Sequence, residues 1–347
     1  MAKAKKLPSG NWRVRAYDGR DADGKPVYKS FTAETKKKAE YLAAEYLAGK
    51  KTQAASDDRT LADAYRRYIE IKRNTLSPST VREYMRAARA DFPELMPLRL
   101  SRITQEAVQS AVNIMAATHS PKTVRNAHGL LSAVLHMFAP DINLNTRMPQ
   151  PRKPDLYVPT EQNVEDMIRS IRGSELEKAV LLAAFGSLRR SECCALLISD
   201  IDGDIIHVNK AMVLDDDHNW VIKPPKSKAG YRDIKMPQFV LDKLSSRSSS
   251  GRIVDLAPVT LTNYFTLQRE KHGLPYFRFH DLRHYQASIL HAMGVPDKYI
   301  MERGGWSTDS TLKNIYQHTM SDRRKQIEDD IVKKFEEQHK KNEDRQE

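Results

Sequence analysis

Two arginines, a histidine and a hydroxyl nucleophile stand in an ordered series in the C-terminal half of the chain. They fall in Ser187-Leu188-Arg189-Arg190-Ser191-Glu192, in His280-Asp281-Leu282-Arg283-His284, and in Gly304-Gly305-Trp306 with Tyr316 ten residues further on. Two guanidinium forks can hold the non-bridging oxygens of a phosphodiester bidentately and stabilise charge as it builds on phosphorus. A tyrosine can then attack without a metal. His280 and Arg283 lie one helical turn apart, so both can project into one cleft, where the histidine can accept the tyrosine proton or orient the phosphate. Tyrosine ionises near pH ~10, so attack at neutral pH needs neighbouring positive charge and a base. With 14 tyrosines in the chain, identity alone selects none of them. Position relative to Trp306 singles out Tyr316.

Composition narrows the partners. The 347 residues carry 57 Lys plus Arg against 45 Asp plus Glu, a net charge of +12, which favours a polyanion such as nucleic acid. The start, Met-Ala-Lys-Ala-Lys-Lys, leads into no apolar run, and no stretch is apolar for long enough to span a bilayer, so a soluble, intracellular protein is expected. There is no P-loop, no G-x-G-x-x-G and no H-E-x-x-H. Asp215-Asp216-Asp217-His218 could suggest hard-metal ligands, but it lies between two predicted strands and reads as a hairpin tip. The two cysteines, Cys193 and Cys194, are neighbours; they read as reduced core residues and not as a disulfide framework or zinc site.

The elements that must position these groups are legible from periodicity. Residues 11 to 17 alternate as a strand with Arg13 and Arg15 opposite Trp12 and Val14, Asp23-Gly24 turns into a second strand at 27 to 31, and Thr35 can cap a helix over 36 to 48. Residues 1 to 55 hold 13 Lys plus Arg and 6 Asp plus Glu, a local excess of +7. Leu61, Tyr65, Tyr68 and Ile69 then form a helical stripe. Ser77-Pro78 and, 43 residues on, Ser120-Pro121 open two similar segments in which Ser can cap a helix and Pro can take its first turn, with Arg82 and Arg125 at matching places. Such helix starts can bind phosphate, and they are also ordinary helix starts. Three prolines within residues 148 to 154 suit an extended connection. Beyond it, Thr160 can cap a helix carrying Val164, Met167, Ile168 and Ile171. Strands are expected at 205–208, 220–222 and 231–234, and helices again from about 256.

The order and spacing of the Arg189, His280, Arg283 and Tyr316 motifs resemble those of the tyrosine recombinases, the integrases of phages and conjugative elements. The resemblance covers nearly the whole chain. It implies a multidomain, mainly α fold with small β-sheets. The parts would be a three-stranded-sheet arm-binding domain over 1–55, a helical SAM-like core-binding domain over 58–145 and an α+β catalytic domain over 155–347. It gives Arg189, supported by Glu192, the first clamp position in preference to Arg190; Asp200 or Asp202 is either a further partner or a simple loop acid. It places a general-acid lysine between strands, at Lys226 or else Lys228. It makes His280 a stronger candidate than His284. Trp306 stands where most members have histidine; its indole can donate a hydrogen bond but cannot shuttle a proton. The implied reaction is DNA strand transfer through a 3′-phosphotyrosyl link with no cofactor and no metal. The implied partners are double-stranded core and arm attachment sites, three further copies of the chain in a tetramer, an excisionase and a DNA-bending host factor. Arg13, Arg15, Arg82 and Arg125 are the DNA-contact candidates. Two other readings are a type IB topoisomerase-like strand transferase and an inactive DNA-binding regulator. Finally, Ile327, Ile331 and Phe335 form a narrow stripe in the tail, which the resemblance implies docks on a neighbouring protomer.

Overall fold

A computed structural model describes residues 4–20, 26–56, 59–142, 144–151, 157–244, 251–309, 312, 313 and 332. The chain divides into two compact units, Met1–Lys153 and Pro154–Glu347, and the boundary falls inside the proline-rich stretch. The fold is multidomain and mostly helical, with small antiparallel sheets. Among the described residues no helix is long and apolar enough to cross a membrane.

The first unit contains two separate hydrophobic clusters. One is made by strands β1 (Lys5–Lys6), β2 (Trp12–Arg20) and β3 (Pro26–Ala33), paired antiparallel in that order, with helix α1 (Lys36–Ser56) on one face. Strand alternation sends Val14 and Ala16 inward against Ala39 and Ala43, small residues that let the helix lie close to the sheet. Arg13 and Arg15 are exposed on the other face. There the Arg15 guanidinium lies 4.9 Å from the ring centroid of Tyr28, which itself meets Tyr17 edge-on at 5.7 Å. The register shifts between Tyr17 and Gly19, and Gly19 takes φ 118°, a conformation that favours glycine.

The other cluster joins α2 (Leu61–Lys72), α3 (Pro78–Ala90), α4 (Gln105–Thr118) and α5 (Pro121–Phe138). Leu61, Tyr65 and Ile69 are buried as their spacing predicts. The two Ser-Pro segments do open helices, but only one serine acts as a cap. Ser120 Oγ accepts from Thr123 N at 3.2 Å, whereas Ser77 Oγ pairs with Ser79 Oγ at 2.8 Å and leaves the helix amides alone. Arg82 bonds its neighbour Glu83 at 3.1 Å, and the exposed Arg125 reaches the Pro149 carbonyl at 3.2 Å.

The second unit is built around α7 (Glu175–Gly186), which follows α6 (Glu161–Ser170) and precedes the single turn α8 (Arg190–Cys193). Leu176, Val180, Leu182 and Ala183 of α7 are almost fully buried, together with Glu177 and Lys178, so this helix is covered on all sides. Thr160 caps α6 in a reciprocal box with Asn163, and Val164, Met167 and Ile171 face the core. Strands β4 (Ile201–Asp202), β5 (Ile205–Val208) and β8 (Arg232–Lys235) form one sheet, and β6 (Ala211–Leu214) and β7 (Trp220–Lys223) form a separate hairpin. Strand β6 escapes the sequence reading because it is four residues long and runs straight into the acidic turn. That turn is a hairpin tip, closed by Asp215 N donating to Asn219 O at 3.0 Å. Helices α9 (Gln238–Leu244), α10 (Pro258–Lys271), α11 (Asp281–Ala292) and α12 (Asp297–Gly304) complete the unit. Cys193 and Cys194 are free and buried, and burial pushes the Cys194 thiol up to about 12.

Candidate active site

Two helix C-termini collect the arginines. Helix α7 ends at Gly186, and Ser187 then turns left-handed at φ 55°, burying Leu188 and setting Arg189 in an extended conformation at the start of α8. Helix α12 ends in Gly304, and Gly305 turns left-handed at φ 63°. Terminal carbonyls carry partial negative charge and lack helical donors. Those of Phe185, Ser187, Arg303, Gly304 and Gly305 are taken by Gln286 and the guanidinium groups of Arg189, Arg232, Arg283 and Arg303.

Glu192 binds the cluster together from inside. It is 3% exposed, accepts Arg189 N and Arg189 Nη1 at 2.7 Å each, and takes Arg232 Nη2 at 2.8 Å. Burial alone would raise its pKa, but hydrogen bonding and charge from Arg232, then Arg189, hold it down at about 2. Arg283 Nη1 stands 4.0 Å from the same carboxylate. Three guanidinium charges against one carboxylate leave a surplus of two positive charges. Of the three, Arg189 keeps most contact with solvent, its side chain 35% exposed.

Arg283 is 1% exposed. Its Nη1 donates to Ser187 O, its Nη2 to Gly304 O at 2.7 Å, and its Nε has no partner among the described residues. Burial, followed by the Arg189 charge, lowers its pKa to about 9, which still leaves it charged at neutral pH. Trp306 lies beside it, with the guanidinium carbon 5.1 Å from the indole ring centroid. Gly304 makes this approach feasible, because a Cβ there would come within 2.3 Å of the indole. A Cβ on Gly305 would meet Ala229 O at 2.8 Å, so the Gly-Gly pair also lets the loop before β8 close in.

His280 stands immediately before α11, one turn from Arg283, and its side chain makes no capping hydrogen bond. The residue reaches solvent, yet desolvation of its ring, then the charge of Arg283 and the neighbour His284, push its pKa down to about 4. It is therefore neutral at pH 7. His284 meets it edge-on at 5.1 Å, is buried, and is pushed to about 4 by burial. Asp281 fixes this corner by accepting Arg278 N and Nη2 at 2.7 Å each.

Similarity to known proteins bears on what such a cluster belongs to. Residues 244–323 match the model of the phage integrase family. A XerC-like tyrosine recombinase of Caldanaerobacter subterraneus subsp. tengcongensis is 26% identical, over 89% of this chain and 92% of its own. These two matches support a tyrosine recombinase. An integrase of Saccharopolyspora erythraea is 40% identical over 57 residues, 16% of this chain and 13% of that one. In fold, the Tn1549 transposon integrase in complex with a circular intermediate DNA superposes with a TM-score of 0.65 at 19% identity, covering 78% of this chain and 99% of that chain. A lambda integrase dimer bound to a COC′ core site gives 0.61 at 18%, covering 91% and 95%.

The fold brings Arg189, Arg283 and Trp306 together, with His280 one turn away on α11. Arg190 turns aside to Thr262 Oγ1 at 2.6 Å. Asp200 accepts Lys210 Nζ at 2.7 Å and Leu197 N at 2.8 Å, so its bonds go elsewhere than Arg189. Lys226 and Lys228 are both exposed on the loop between β7 and β8, where Lys228–Gly230 forms a single helical turn. Tyr316 lies outside the described residues, as do the tail positions Ile327, Ile331 and Phe335. Arg232 is the participant that sequence reasoning missed. Within Arg232-Asp233-Ile234-Lys235 it reads as one more charge on a short strand, and its acceptors are mostly backbone carbonyls, which leave no side-chain signature.

Proposed function

We propose that this chain is a site-specific DNA recombinase that integrates and excises a mobile element, with Tyr316 as the nucleophile. The Tyr316 hydroxyl attacks the scissile phosphorus, the bond from phosphorus to the 5′ oxygen breaks, and a 3′-phosphotyrosyl link forms. The departing 5′ oxygen takes a proton from the lysine of the β7–β8 loop, Lys226 or Lys228. Attack by a 5′ hydroxyl of the partner duplex reverses these steps and frees the tyrosine. The phosphodiester is exchanged and not hydrolysed, so resealing needs no nucleotide cofactor.

The observation that carries this reading is the arginine cluster around Glu192. Its two surplus positive charges meet the charge that grows on the phosphate oxygens, and they are held in place before substrate arrives. Arg189 offers the solvent-reaching fork, Arg283 an Nε without a partner among the described residues, Trp306 an indole N–H, and neutral His280 a place for the tyrosine proton. Residues 1–55 would bind arm-type DNA through the Arg13 and Arg15 face, residues 58–145 the core site through Arg82 and Arg125, and residues 155–347 perform the chemistry. A lambda integrase tetramer has been seen on a Holliday junction, and a similar tetramer on paired sites is part of the proposal. So are an excisionase and a DNA-bending host factor, and action on bacterial DNA in the cytoplasm.

The test is a nicked duplex carrying the joined ends of the element. Wild-type protein should become covalently attached to it, and Tyr316→Phe should still bind yet form no adduct. An adduct with the phenylalanine variant would remove Tyr316 from the reaction.

A further inference from the structure

Arg232 uses every donor it has on protein. Its side chain is 5% exposed. Nε donates to Arg303 O at 2.9 Å; Nη1 to Glu192 Oε1 and Gly230 O at 3.2 Å each; Nη2 to Glu192 Oε2 at 2.8 Å and Ser187 O at 3.2 Å. A guanidinium has five N–H donors, and five acceptors are present. None is left for a phosphate, so Arg232 cannot act as a further clamp residue.

Its acceptors come from three places that the proposed reaction needs at once. Ser187 and Glu192 belong to the turn that presents Arg189. Arg303 O precedes Gly304 and Gly305, whose carbonyls hold Arg283 and Arg189, and Trp306 follows directly. Gly230 O closes the turn that begins with Lys228, two residues beyond Lys226. The next carbonyl back, Ala229 O, is packed so close to Gly305 that a Cβ there would come within 2.8 Å of it. Resting on the function proposed above, we propose that Arg232 is a positioning residue that locks the lysine-bearing loop to the arginine clamp. It places the proton donor relative to the phosphate without touching substrate.

Its two bonds to Glu192 serve the same end. A buried carboxylate with fewer partners would draw Arg189 and Arg283 further toward itself, away from the phosphate. With Arg232 in place the carboxylate is satisfied, and Arg189 rests with Nη1 on Glu192 and Nη2 on Gly305 O while its side chain still reaches solvent.

A lysine at 232 keeps the charge but has three donors on one nitrogen and cannot span the five acceptors. The discriminating measurement is single-turnover cleavage by Arg232→Lys of the nicked joined-end duplex, with oxygen or with sulfur at the 5′ leaving position. A thiolate departs without a proton, so sulfur removes the need for the lysine. We expect roughly hundredfold slower cleavage of the oxygen substrate and only about tenfold slower cleavage of the sulfur substrate, with the duplex still bound and the thermal midpoint within a few degrees of wild type. An equal loss on both substrates would overturn the link to the loop and confine Arg232 to the clamp. Wild-type rates on both would overturn the positioning role altogether. A variant too unstable to assay is replaced by Arg232→Gln, whose amide nitrogen falls where Nε donates to Arg303 O and which loses the Nη donors, and it is judged by the same oxygen-to-sulfur ratio. Failure of wild-type protein to form an adduct with either substrate would instead overturn the proposed function and this inference with it.

Discussion

The arginines of the β2 face and those around Glu192 share one chemistry and have opposite surroundings. Arg13 and Arg15 stand exposed on a sheet, and Arg15 has only an aromatic ring beneath it. Arg232, its side chain 5% exposed, has its donors committed to carbonyls and a carboxylate, and Arg283, 1% exposed, gives both terminal nitrogens to carbonyls. An exposed guanidinium can move to meet a phosphate at any of several places, and its attraction is screened by salt. A buried and bonded one lost its freedom when the protein folded, so it adds little ordering cost during reaction. The first kind suits affinity along a duplex, and the second suits a site that must hold one shape around a single phosphorus atom.

The sharpest way to break this contrast is to remove the one clamp arginine that still reaches solvent. Arg189→Ala should slow cleavage of the joined-end duplex by at least about a hundredfold, the scale of one preorganised charge donor. The salt dependence of binding should change little, because one contact among many is lost. Single-turnover cleavage and a salt series on the same variant read both quantities. Near-normal cleavage would move the clamp to other residues.

The reciprocal experiment concerns the sheet. Arg13→Ala with Arg15→Ala should leave cleavage of a short core duplex unchanged and weaken binding to arm-type DNA. The slope of log affinity against log salt should become shallower by up to about two, near 0.9 for each lost phosphate contact. Fluorescence anisotropy at a series of salt concentrations measures it. An unchanged slope would mean that these arginines are solvated charges on a small sheet and no more.

Arg13, Arg15, Arg189 and Arg283 were visible in the sequence, though for different reasons, and Arg232 was not. Strand alternation placed Arg13 and Arg15 on one face, and the pairing of β2 with β3 keeps them there. Arg189, His280, Arg283 and Trp306 were legible through spacing within short motifs, which local helix geometry preserves. What spacing could not reveal is contact between distant segments. Arg232 lies 40 residues from Glu192 and 71 from Arg303. The Gly304-Gly305 pair was recognisable as a motif, but its cause is the indole and the loop that close on it. Ser77 shows the reverse error, since a plausible cap residue found a competing hydroxyl two positions away.

The smallest expected effect lies under the clamp, at Ser187. Its carbonyl accepts from both Arg283 and Arg232, and to present it the residue sits at φ 55° and ψ 29°. The left-handed region costs a residue with a Cβ about 1–2 kcal/mol. Its hydroxyl is buried without a partner among the described residues, a second cost. Ser187→Gly removes both while keeping the carbonyl, but adds about 0.5–1 kcal/mol of chain entropy on the unfolded side. A net gain near 1 kcal/mol should raise the thermal midpoint by about 2–4 °C. Ser187→Val should act the other way and more strongly, because a β-branched side chain resists this conformation and the site is 1% exposed. Differential scanning calorimetry of the two variants decides the matter. A glycine variant that melts below wild type would show that the serine hydroxyl holds something the clamp needs.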